Sequence, residues 1–151
     1  MLGGGALSFD AAAAITSQVR NLLYVSRSTL APDDREAQVA DIVAGAQVRN
    51  EPLQITGALV FTGERFAQYL EGPPAAIEEL MTSIRRDTRH LEILELPIAP
   101  FSSRLFESWS LAYSGSTPFV ARLVHELAAA RHPTAPACDK LVRLIQEFTG
   151  D

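Results

Sequence analysis

The chain holds one cysteine, so no internal disulfide can staple it, and no Cys/His set has zinc-finger spacing. Positive charge is also in short supply: 13 Lys and Arg face 18 Asp and Glu, a formal net charge of -5. That balance speaks against a phosphate-binding surface for nucleic acid as the main activity. No apolar run is long enough to cross a bilayer. The stretch Ala11 to Ile15 follows Asp10 with no basic region before it, which argues against a signal peptide. A reducing, cytoplasmic setting is the expectation. Nucleophile-elbow, phosphate-cradling glycine-loop and HExxH motifs are absent too, so no hydrolase or metalloenzyme signature is present.

What is there is enough apolar content, 47% of 151 residues, to build a single core with appendages. Residues 1–20, with Gly3-Gly4-Gly5 and an Ala-rich patch, read as an N-terminal extension. Leu22 to Ser26 reads as a first strand, and Val39, Ile42, Val43 and Ala46 mark a helix over about 34–48. Ile55 to Phe61 is almost continuously apolar, as in a strand covered on both faces. Thr62-Gly63-Glu64 makes a hairpin into a strand over 65–71. After Gly72-Pro73-Pro74, Ile77, Leu80, Met81 and Ile84 trace a second helix to about Arg86. Strands follow at Glu92 to Ile98 and Trp109 to Tyr113. Beyond Ser114-Gly115-Ser116, two amphipathic helices carry Val120, Leu123, Val124 and Leu127, then Leu141, Leu144, Ile145 and Phe148. Their stripes need cover, either the bare side of the sheet or a partner. The order β-α-β-β-α-β-β predicts an α+β, ferredoxin-like βαββαβ sandwich with an added fifth strand and two C-terminal helices. The expected division is 1–20, 21–114 for the core domain, and 115–151 for the helical extension.

Phe66-Ala67-Gln68-Tyr69-Leu70-Glu71-Gly72 is the most informative stretch. Strand alternation puts Gln68 between Phe66 and Leu70 on one face. A buried amide without partners costs about 1–3 kcal/mol, so protein, water or a ligand must satisfy it. Taken singly, the plainer readings hold: Gln68 bonds backbone, Tyr24 is a core tyrosine, Asn50 ends a helix, and Trp109 fills space. Arg89 and His90, after Asp87, suit either a helix C-terminal cap or a polar contact.

Taken together the residues resemble the BLUF family of flavin-binding blue-light receptors. The resemblance covers roughly Asn21 to Tyr113 and rests on Leu-Tyr-Val-Ser-Arg, Asn50 before Ile55-Thr56-Gly57, Phe-x-Gln-x-Leu-Glu-Gly, Asp87-x-Arg89-His90, and Ser108-Trp109-Ser110. It implies noncovalent FAD, with FMN or riboflavin as alternatives, slotted between two helices. It also implies Tyr24 as electron and proton donor, and Gln68 as its link to the flavin N5/O4 edge. Asn50 would bond the ring's carbonyl and imide edge, and Asp87, Arg89 and His90 would contribute polar contacts. Trp109 and the residue two after it would transmit the signal. That residue is Leu111 where the family commonly has methionine, which drops the thioether, and Ala46 stands where some relatives have a flavin-contacting serine.

The expectation is therefore a non-enzymatic photoreceptor. Its output would be a change in association, with itself as a homo-oligomer or with a separate effector protein, and neither nucleic acid nor membrane is expected as a partner. A flavin-dependent oxidoreductase and a light-independent interaction module are the alternatives.

Overall fold

The computed structural model describes residues 19–100, 103–106, 112–115 and 117–149. Strand β1 (Arg20–Ser28) leads through a short 3-10 turn, Pro32–Asp34, into helix α1 (Arg35–Asn50). Strands β2 (Thr56–Phe61) and β3 (Arg65–Gly72) form a hairpin. Helix α2 (Pro74–Arg86), strand β4 (His90–Leu96), strand β5 (Ala112–Gly115) and helices α3 (Pro118–Ala129) and α4 (Ala135–Thr149) complete the order. The sheet runs β4-β1-β3-β2-β5. Neighbours among its first four strands are antiparallel, and β5 joins β2 in parallel. This is the ferredoxin-like βαββαβ sandwich with one added strand.

The hairpin turn is local chemistry. Gly63 takes φ +97°, which a side chain would resist, and Thr62 Oγ1 accepts from the backbone N–H of Arg65 at 3.0 Å. Gly57 serves a different need. A Cβ there would meet the Tyr69 carbonyl oxygen of β3 at 2.0 Å, so only glycine lets the two strands approach.

The pleat sorts side chains between two faces. Leu22, Tyr24 and Leu70 pack under α2 with Ile77, Leu80, Met81 and Ile84, while Leu59 and Phe66 meet Val39 and Ala46 of α1. On the reverse face, Leu23, Val25, Ala67 and Tyr69 pack against Val120, Val124, Leu127, Leu141, Val142 and Ile145. The C-terminal helices therefore cover the bare side of the sheet. Burying each of those six helix side chains contributes about 1.5–3 kcal/mol gross. Their sum is on the order of 10 kcal/mol, comparable to the whole stability of a small domain, so α3 and α4 are part of its core.

Strand β4 differs from its expected span by two residues at each end. Pro97 has no N–H for the ladder and stops it at Leu96. At the start, the pairing with β1 shifts between Val25 and Arg27, and Glu92 adopts φ +54°. This bulge inserts Glu92 as an extra residue, so His90 and Ile93 share the α1/α2 face although they are three residues apart. The described part of β5 reaches Gly115, two residues past the expected Tyr113.

Candidate functional site

A cleft opens between α1 and α2 above the middle of the sheet. Tyr24, Leu59, Phe66 and Gln68 form its floor, and Asp41, Ile42, Gly45, Ala46 and Arg49 of α1 form one wall. Ile84, Asp87, Arg89 and His90 form the other. Helix α1 buries only Val39, Ala46 and Asn50 completely. Ile42, on the expected apolar stripe, stays partly exposed because it faces the opening, while Val43 stays partly exposed on another side of the helix, near Val39 and Phe61.

Tyr24 and Gln68 are directly opposed in the β1–β3 ladder. Both are buried, and the Tyr24 hydroxyl donates to Gln68 Oε1 at 2.5 Å. Burial is the main cause that raises the Tyr24 pKa far above that of an ordinary phenol, and the negative charge of Asp87 adds to it while Arg49 opposes. The phenol therefore keeps its proton across the physiological range. Gln68 Nε2 has no acceptor among the described residues. In a buried amide facing a cleft, that leaves two donors for whatever fills the space.

His90 closes the inner end. Its Nε2 donates to the Ile84 carbonyl at 2.8 Å, which fixes the proton there and leaves Nδ1 to accept from the Ser26 hydroxyl at 2.7 Å. The ring meets Tyr24 and Phe66 edge-on, with centroids 5.9 and 6.0 Å away. Both nitrogens are thus engaged inside the protein, and His90 caps the last turn of α2. At the mouth, Asp87 Oδ1 accepts the Arg89 backbone N–H at 3.0 Å, and the Arg89 guanidinium grips the same carboxylate at 2.6–3.1 Å. The hydrogen bond from Arg89 is the chief reason that Asp87 titrates below an ordinary carboxyl.

Five of the site residues expected from sequence, Tyr24, Gln68, Asp87, Arg89 and His90, therefore line one cleft. Asn50 is fully buried at the end of α1 and is not among the lining residues. Trp109 and Leu111 lie outside the described residues. Sequence reasoning passed over Asp41, Gly45 and Arg49, which share a helix face at spacings of four residues; that spacing, measured from Ala46's neighbour, was the signal for them. Ser26, which orients His90, was also passed over.

The cleft measures 200 Å³. That is less than the roughly 300–1,000 Å³ that encloses most of a drug-sized ligand, so it suits a flat ring system and leaves the remainder of a larger molecule outside. Gly45 contributes to the room, since a Cβ built on it would meet nothing within 4 Å. Donors on Gln68, aromatic and aliphatic floor residues, and a cation at the mouth fit a flavin with its polar edge and anionic tail.

A family model described as BLUF, sensors of blue-light using FAD, matches residues 19–112. The chain belongs to the BLUF family. The solved dark-state structure of BlrB, a BLUF protein, aligns with a TM-score of 0.71 at 32% identity over 87% of this chain and 98% of that one. The photo-activated state of BlsA shares the fold, with a TM-score of 0.73 at 21% identity over 85% of this chain and 94% of that one. Among curated relatives, photoactivated adenylate cyclase subunit beta of Euglena longa is 35% identical over 96 residues, 63% of this chain and 11% of its own length. The blue light- and temperature-regulated antirepressor BluF of Escherichia coli (strain K12) is 36% identical over 75 residues, 50% of this chain and 18% of its own length. The chain thus spans about a tenth of the cyclase relative. As a BLUF domain it senses blue light using FAD. No helix among the described residues is long and apolar enough to cross a membrane.

Proposed function

We propose that the BLUF domain of this chain works by a light-driven exchange of hydrogen bonds around Gln68, and that its output is a change in association rather than catalysis. The observation that carries this reading is the buried 2.5 Å bond from Tyr24 to Gln68 Oε1 at the floor of the cleft. When bound, the flavin supplies an excited acceptor for an electron and a proton. Tyr24 is the donor, because its phenol is held protonated and has one route for the proton, along its bond to Gln68 Oε1. The Gln68 carboxamide then turns or tautomerises, exchanging acceptor for donor where the phenol had bonded, and the electron and proton return to Tyr24, so the net change is in hydrogen bonding alone. No covalent bond to the chromophore forms.

Gln68 Nε2 would bond the ring edge in the dark, and Arg89, fixed by Asp87, would meet the tail of the cofactor. His90 acts as a wall that holds the end of α2 in place. Asn50 is buried outside the cleft lining and would bond the ring's imide edge from the end of α1 once the flavin is bound, and Trp109 and Leu111 would carry the change toward β5. The binding partner is a second copy of the chain or a separate effector protein. The names of the relatives, a cyclase subunit and an antirepressor, support an output that differs from one BLUF protein to the next.

Purified chain loaded with FAD is yellow, and blue light moves its flavin absorption reversibly to longer wavelength. A colourless protein that cannot be reconstituted with FAD overturns the reading. Steady NAD(P)H consumption by the loaded protein would instead favour an oxidoreductase. Size-exclusion chromatography in darkness and under light, alone and with cell extract, tests the output.

A further inference from the structure

Glu71 is a fully buried carboxylate on the face of β3 opposite Gln68, three residues along the same strand. Neither the cleft nor the proton path uses it. All of its acceptor capacity is taken. Oε1 accepts from the Phe106 backbone N–H at 2.5 Å and the Thr56 hydroxyl at 3.3 Å. Oε2 accepts from the Leu105 backbone N–H at 2.9 Å and the Tyr69 hydroxyl at 3.0 Å. Four donors saturate the two oxygens of an ionised carboxylate.

The counter-charge arrives through a hydroxyl. Arg104 donates to Thr56 Oγ1 at 2.9 Å, and that hydroxyl in turn donates to Glu71. The same guanidinium donates to the Gln54 carbonyl at 2.6 Å, where the backbone turns through φ +59° between α1 and β2. Residues 104–106 belong to the connection from β4 to β5. One carboxylate therefore ties the strand of Gln68 to the segment that runs into β5, and Arg104 ties that segment to the exit of α1.

We propose that Glu71 is a positioning residue of the photoresponse: from the reverse face of β3 it holds residues 104–106, and this attachment alters when Gln68 changes its bonding. The inference rests on the reading of Gln68 given above. The two backbone bonds, at 2.5 and 2.9 Å, are charge-assisted and short, so a small displacement of β3 changes their lengths where a loose apolar contact would absorb it. The backbone amides of Leu105 and Phe106 report directly on it.

The test uses the full chain loaded with FAD, with the absorption spectrum and amide NMR recorded on one sample in darkness and under blue light. Wild-type protein is expected to show the red shift together with light-dependent changes in the Leu105 and Phe106 amide shifts and exchange rates. Glu71→Gln presents an N–H where an acceptor is needed. It should keep FAD and the red shift, exchange those two amides about tenfold faster in the dark, and lose their light-dependent difference. Thr56→Val, which removes one donor and the bridge to Arg104, should give a smaller change of the same kind and serves if Glu71→Gln does not fold.

A purely structural role would lower stability without moving the light-dependent difference. A full red shift with unchanged Leu105 and Phe106 amides in wild type overturns this inference and leaves the Gln68 reading intact. A Glu71→Gln protein that keeps the light-dependent amide change also overturns it. Absence of any red shift in FAD-loaded wild type removes both.

Discussion

Replacing Tyr24 by phenylalanine removes a single oxygen and leaves the ring in contact with His90. The lost bond is the 2.5 Å donation to Gln68 Oε1, between side chains that are 3% and 5% exposed. Leaving a buried amide oxygen without its donor costs about 1–3 kcal/mol. For a domain of this size, each kcal/mol moves the melting temperature by about 2–4 °C, so a fall of roughly 2–12 °C is expected. The measurement is thermal unfolding in the dark at equal free FAD, because bound ligand adds its own stabilisation. Dark and illuminated spectra come from the same preparation. The variant should stay yellow, melt earlier and show no red shift. A full red shift in Tyr24→Phe would end the donor assignment, and a melting temperature within about 1 °C of wild type would mean that the pair is not bonded as described.

Other outcomes follow from the same geometry. Gly45→Leu places a side chain in the open space of the cleft while improving helix propensity by up to about 1 kcal/mol; the FAD-free protein should melt no lower than wild type, yet retain little flavin after chromatography. A yellow Gly45→Leu protein with full FAD content would mean the ring does not lie against that face of α1. Asp87 is held below its ordinary value of 3.8 chiefly by the hydrogen bond from Arg89, so the folded protein binds this proton less readily than the unfolded chain. Its contribution to stability is complete above that value and is lost as pH falls through the lowered folded value. Urea midpoints measured from neutrality into acid should therefore decline less in Asp87→Asn than in wild type, and parallel curves would contradict the ion pair.

Much of the architecture was legible because local signals agreed with one another. The Thr62-Gly63 turn fixes a β2–β3 register that sets Gln68 opposite Leu59, while Tyr24 meets Gln68 through the separate β1–β3 ladder, and the run from Ile55 to Phe61 reads as a strand covered twice because it is one. The start of β4 was not legible: plain alternation groups Glu92 with Leu94, whereas the bulge ejects Glu92 and re-aims His90 into the cleft wall. The wall from α1 was missed because Asp41 and Arg49 look like an ordinary solvent face, and periodicity does not record a gap between two helices. Glu71 was hidden for another reason. Two of its partners, Leu105 and Phe106, are backbone groups some thirty-four residues away, and no side-chain pattern announces them.

The only thiol in the chain, Cys138, sits on α4 with no exposed surface, within the core cluster that α3 and α4 form with the sheet. Burial, with the neighbouring Asp139 adding to it, raises its pKa and keeps the sulfur protonated and unreactive while the helix stays seated. The molecule therefore carries a built-in gauge for its own tail. A thiol reagent that labels it faster under blue light would register lifting of α4 from the sheet, and an unchanged labelling rate would mean the light signal leaves by a route that keeps this seal shut.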